Sequence, residues 1–145
     1  IGEMNVDEHA RVGLTADGTW QIGVRRTFAL SEGQGWRALL SDAGMTIWLG
    51  GAAPLAAGAE FSLPNGTTGR VTVFRPGSHL RLRWQPASWE RPSVLQIRVI
   101  PARRGTTLSV HQESLLDAET RLTMKSHWED IVVRLAQLAR DAADV

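Results

Sequence analysis

The sequence predicts an α+β domain in which a curved antiparallel sheet wraps around one long C-terminal helix. Three observations carry this. After Gly58, short runs of alternating apolar and polar residues are separated by tight-turn signals, and strands joined that way pair antiparallel. From Asp117 to Ala143, the residues Met124, Trp128, Ile131, Leu135 and Leu138 recur in steps of 4, 3, 4 and 3, one stripe of an amphipathic helix. The chain has 145 residues, 43% of them apolar and 21% charged, which is one domain with enough apolar surface for one core. A sheet and a helix that are each dry on one side bury those sides against one another.

Residues 1–18 mix charge and glycine without a sustained period, and are expected to form a loosely ordered arm ahead of a single domain at 19–145. Because the first residue is Ile1, a fragment or a processed product is expected. Trp20–Leu30 reads as the first strand, with Ile22, Val24, Phe28 and Leu30 alternating and Arg26 interrupting the dry face. Ser31 with Glu32 opens a helix bearing Trp36, Leu39 and Leu40. Asp42 opens a second through Met45, Trp48 and Leu49, stopped by Gly50-Gly51. Gly50–Gly58 is too small-sided to be a core element.

A run of about six strands is expected next. Ala59–Leu63 and Gly69–Phe74 flank Asn65-Gly66, a strong hairpin signal. After the Arg75-Pro76-Gly77 turn, His79–Trp84 puts Leu80, Leu82 and Trp84 on one face and Arg81 and Arg83 on the other. A loop from Pro86 to Pro92 carries Trp89. Val94–Ile100 turns Leu95, Ile97 and Val99 inward, and after Arg103-Arg104-Gly105, Thr107–Gln112 turns Leu108, Val110 and Gln112 inward. The final helix, about 40 Å long at 1.5 Å per residue, can cross the whole sheet.

Several function classes fall away. There are no cysteines, so disulfides, thiolate nucleophiles and cysteine-based metal sites are excluded. Sixteen basic and fifteen acidic residues give a net charge of +1, hence no strong overall field for nucleic acid or anionic membrane. Arg81, Arg83 and Arg98 share the outer sheet face, but no aromatic residue lies between them for base stacking, so no nucleic-acid partner is expected. No apolar run reaches the ~18–20 residues of a membrane span and no secretory signal opens the chain, so a cytoplasmic protein without membrane insertion is expected. His9, His79, His111 and His127 have no metal-ligand spacing, and no Gly-x-Ser-x-Gly element is present. Gly33-Gln34-Gly35-Trp36-Arg37-Ala38 fits a dinucleotide fingerprint only if a parallel βαβ unit follows, and a second helix follows instead. Asn65-Gly66-Thr67 is a formal glycosylation sequon that the hairpin turn explains.

The order of elements and their local text resemble the START-like (SRPBCC) superfamily, the helix-grip or birch-pollen-allergen fold, and within it the heat-shock-protein-90 ATPase activator-homologue group. The resemblance rests on Val24-Arg25-Arg26-Thr27-Phe28 leading to Trp36, Trp48-Leu49-Gly50, the Gly66–Val71 hairpin, Leu82-Arg83-Trp84, Gly105-Thr106-Thr107-Leu108, and Met124 with His127-Trp128. It covers about Trp20 to Leu138. It implies an apolar cavity between sheet and long helix, where families of this fold hold lipids, sterols or polyketides, and it leaves function open, because the fold serves carriers, cyclases and regulators alike.

On this reading the cavity is lined by Trp48 of the second helix, by Phe61, Leu82, Trp84, Ile97 and Val110 of the sheet, and by Met124, Trp128 and Ile131 of the last helix. Trp89 stands at its mouth, and Gln112 is the polar handle on a dry face. The leading expectation is a module that binds a hydrophobic or amphiphilic small molecule, with no catalytic residue, metal or cofactor assigned and a homodimer compatible. The alternatives are a cyclase- or hydrolase-like enzyme using Glu113, His127 or Gln112 with water, and a chaperone-regulator-type protein-binding module.

Overall fold

The computed structural model describes residues 12–143. Its elements are β1 (Trp20–Phe28), α1 (Glu32–Leu40), α2 (Asp42–Trp48), β2 (Glu60–Ser62), β3 (Thr68–Arg75), β4 (His79–Gln85), β5 (Ser93–Ala102), β6 (Gly105–Leu115) and α3 (Ala118–Ala143). The six strands form one antiparallel sheet in the order β1-β6-β5-β4-β3-β2. The expected α+β architecture is the observed one. Five strands follow the two short helices among the described residues, where the sequence suggested about six.

Local chemistry accounts for the boundaries. The Ser31 side chain accepts from the Gln34 backbone N–H while the Gln34 side chain accepts from the Ser31 N–H, a reciprocal capping box for α1. Ser41, not Asp42, caps α2, accepting from the Gly44 N–H at 3.0 Å. Asp117 caps α3, accepting from the Thr120 N–H at 2.7 Å. That bond to the carboxylate holds the Asp117 carboxyl below its usual range. Gly35, in the apparent dinucleotide pattern, sits inside α1, where an added Cβ would lie 3.4–3.6 Å from Leu30, Leu108 and Val99. It is buried against the sheet, where a methyl group would make ordinary contact, and it does not face a phosphate.

Residues 1–11 of the expected arm lie outside the described residues. Residues 13–19 form a turn tied to the domain. The Gln21 N–H donates to the Gly13 carbonyl at 2.6 Å, Leu14 bridges Trp20, and the Asp17 carboxylate accepts from both Thr15 and Thr19. Those hydroxyl donors pull the Asp17 pKa down to about 2.

Two bulges shape the sheet. In β3 the register slips between Val71 and Val73, and the Thr72 hydroxyl donates to the Arg81 carbonyl at 3.1 Å. In the β1–β6 pair, Ile22 faces Gln112 but Trp20 faces Leu115, so β6 carries one extra residue there. Ser114 absorbs it with φ of 65°, a left-handed backbone uncommon outside glycine. The insertion turns both Gln112 and Leu115 inward.

The inner sheet face packs on α1 and α3, α2 packs on both of those helices, and the core runs from Ile22 and Val24 through Leu82, Leu95, Ile97 and Val110 to Trp128, Ile131 and Leu135. No helix among the described residues is long and apolar enough to cross a membrane.

Candidate ligand site

The alternation that turns Gln112 inward and the α3 stripe that turns Trp128 toward the sheet bring these two residues together. Both are 0% exposed, and the Trp128 indole N–H donates to Gln112 Oε1 at 2.8 Å. Gln112 Nε2 donates onward to Ser93 Oγ at 2.9 Å, and the Ser93 hydroxyl donates to the Trp84 carbonyl at 2.8 Å. A buried polar chain therefore runs from helix to sheet with no orphaned side-chain N or O among the described residues. Each bond in a dry medium is stronger than in water, and each partner left alone is costly.

Indoles surround this chain. The rings of Trp84 and Trp128 lie 5.8 Å apart, and Trp89 meets Trp84 edge-on at 5.6 Å. Gln85 Nε2 donates to the Trp89 carbonyl at 2.8 Å and so anchors the β4–β5 loop that carries it. Trp48 is sealed in α2, its indole N–H donating to the Leu39 carbonyl at 2.8 Å. Phe61, Leu82, Ile97, Val110 and Ile131 are buried in the same core, while Met124 is half-buried at its edge. Of the candidate residues, Trp84, Gln112 and Trp128 thus form one connected group with Trp89 on its solvent side.

The concavity that meets this group lies at the Trp89 end. It has a volume of about 180 Å³ and is lined by Trp89, Glu90 and Arg91 of the β4–β5 loop, Ser114 and Leu116 at the end of β6, and Thr120 of the first α3 turn. Leu116 is 49% exposed. Ser114, Leu116 and Thr120 had no sequence signal: the first owes its place to the bulge, the others to where α3 begins.

The residues considered for acid–base work are separated. Glu113 points to the outer sheet face, where it accepts from Arg81 at 2.6 Å. Gln112 points inward, and His127 is half-buried, edge-on to Trp128 with ring centroids 4.8 Å apart. Burial holds the His127 pKa below its usual 6.5, Arg134 lowers it further, and Asp130 partly offsets both, so the imidazole is neutral at pH 7. Their partners lie in different places: Gln112 reaches mid-helix and Glu113 reaches β4.

A sheet gripping one long helix, closed by two short helices after the first strand, defines a START-like (SRPBCC) domain of the helix-grip type. Residues 30–140 match the family described as Activator of Hsp90 ATPase homolog 1-like protein, and the chain belongs to that family. No curated protein matches the chain in sequence. Among solved structures, protein MLL2253 from Mesorhizobium loti superposes with a TM-score of 0.72 at 22% identity, over 83% of this chain and 97% of that one. DynU16, from the dynemicin biosynthetic locus, gives 0.71 at 22% identity over 81% of this chain and 46% of its own. CalU16 from Micromonospora echinospora gives 0.65 at 15% identity, over 88% and 87%. At these identities the likeness establishes the fold alone.

Proposed function

We propose that the protein binds a small amphiphilic molecule at the mouth between the β4–β5 loop and the start of α3. One observation carries the reading: Trp89 is half-buried, packed edge-on against a sealed indole cluster on one side and bordering an open concavity on the other. An indole with one free flank beside an exposed leucine offers an apolar seat, and Arg91, Ser114 and Thr120 offer polar contacts at its rim.

Size decides what fits. Drug-sized sites enclose ~300–1,000 Å³; about 180 Å³ here takes one ring or a short acyl segment, with the polar end outside. Burying roughly 200 Å² of apolar area at ~25 cal/mol per Å² contributes about 5 kcal/mol, a dissociation constant of order 0.1–1 mM before ordering costs.

The test is a titration of the folded chain with 2-naphthol and with octanoate, followed by the indole N–H resonances. A saturable shift at Trp89, little change at Trp48, and loss of both probes in Trp89→Ala at unchanged stability support the proposal. No shift at Trp89, or undiminished binding by Trp89→Ala, overturns it.

A further inference from the structure

We propose a second, independent site on the outer face of the sheet: a phosphate-type oxyanion held between Arg75, His79 and Arg98. Register puts these three residues in one row across three strands, Arg75 of β3 opposite His79 of β4 and His79 opposite Arg98 of β5. At ~4.8 Å per strand the flanking arginines start about 10 Å apart, so both guanidiniums can close over the central imidazole.

The His79 and Arg98 side chains already meet there. Arg98 Nη1 lies 3.5 Å from His79 Nδ1, and Ser78 Oγ lies 2.8 Å from the same nitrogen. Among the described residues no carboxylate is within ion-pair distance of Arg75, His79 or Arg98. The two glutamates on this face, Glu60 and Glu113, are engaged by Arg70 and Arg81. Two fixed cations without a counter-ion repel one another and disfavour protonation of the ring between them, and an oxyanion relieves that repulsion while accepting the forked donors of two arginines.

The groups facing His79 are all basic or neutral: Arg75 from β3, Arg98 from β5 and Ser78 on its own turn. Burial, then Arg98, then Arg75 hold its imidazole below the usual range, so the free ring accepts and a bound oxyanion restores its tendency to protonate. The site lies at the opposite end of β4 from the Trp89 loop, so it neither needs nor competes with the mouth. Among the described residues no Phe or Trp belongs to this row for base stacking, and the phosphate itself is what the geometry reads. Its source is a soluble phosphate compound or a phospholipid headgroup.

The experiment follows the His79 ring resonance of the full chain during titration with inorganic pyrophosphate, alongside sedimentation with phosphatidate and with phosphatidylcholine vesicles. The expected result is a saturable shift weakened about tenfold or more in Arg75→Gln or Arg98→Gln, since a hydrogen bond to a charged group contributes roughly 1.5–3 kcal/mol. Arg83→Gln, on the same face outside the row, stays within about twofold of the parent. Pyrophosphate binding assigns a soluble ligand. Phosphatidate binding that is lost in Arg98→Gln, with phosphatidylcholine inert, assigns the headgroup. Absence of both, or equal weakening by Arg83→Gln, overturns the site. All variants replace surface side chains, and unchanged melting confirms that they fold.

Discussion

Trp128 of α3 and Gln112 of β6 are joined by a 2.8 Å hydrogen bond in a place where neither side chain reaches water. The glutamine that alternation singles out as a polar handle is thereby occupied on both sides, by Trp128 on its oxygen and by Ser93 on its nitrogen. It belongs to the scaffold behind the proposed mouth.

Gln112→Leu leaves the Trp128 N–H and the Ser93 hydroxyl without their glutamine partner in the core. A loss of about 1–3 kcal/mol is expected, read as a lower urea midpoint at unchanged slope. Combining it with Trp128→Phe should cost less than the two single losses added together, because the two residues share one bond. Strict additivity would show that the bond contributes nothing.

Trp128→Ala removes the central residue of the α3 stripe, 0% exposed and packed on Trp84. The expected cost is about 3–5 kcal/mol, which in a domain of this size lowers the melting temperature by roughly 10 °C. Calorimetry that finds a shift of one or two degrees would contradict the packing described.

Ser114 holds a left-handed backbone at the β6 bulge. Glycine adopts that conformation without penalty, so Ser114→Gly should be neutral or stabilising by about 0.5 kcal/mol even after its larger unfolded-state entropy. Ser114→Val should destabilise by about 1–2 kcal/mol. Denaturant melts that rank the two variants the other way would mean the strain is absent.

The depressed pKa of His127 gives a definite pH dependence. Its folded-state value lies below the unfolded one, so between them the unfolded chain binds the proton and the folded chain does not. Stability therefore falls as pH drops below about 6.5 and levels off once the folded-state pKa is passed, with a slope of at most ~1.4 kcal/mol per pH unit for this one proton. His79 shifts the same way and adds its own slope. His127→Gln should flatten the curve in this window and leave the His79 part, and an unchanged curve would place the proton elsewhere.

What the sequence makes legible is whatever depends on period. Period two turns Leu80, Leu82, Trp84, Leu95, Ile97 and Val110 inward, and the 3.6 period turns Trp128 and Ile131 toward them. Ser93 was not legible as a core residue, although it is 0% exposed, because a serine beside a proline at a strand start reads as loop. Its role exists only once Gln112 stands across the β5–β6 pair. The Ser114 bulge was hidden for a related reason: serine carries no signal for a positive φ, so strict alternation extended past Gln112 misplaces Leu115. The phosphate-type row depends on cross-strand register, which no single strand encodes.

The hydrogen-bonded chain from Trp128 to the Trp84 carbonyl also selects the alignment of helix and sheet. Apolar stripes alone tolerate sliding, since one leucine or valine docks much like another. Moving α3 along its axis by one turn would present Met124 or Val132 to Gln112, and neither can donate. Either slip strands two polar groups in the dry interior, so a single amide favours one threading of the long helix through its sheet, much as a keyway sets the position of a shaft.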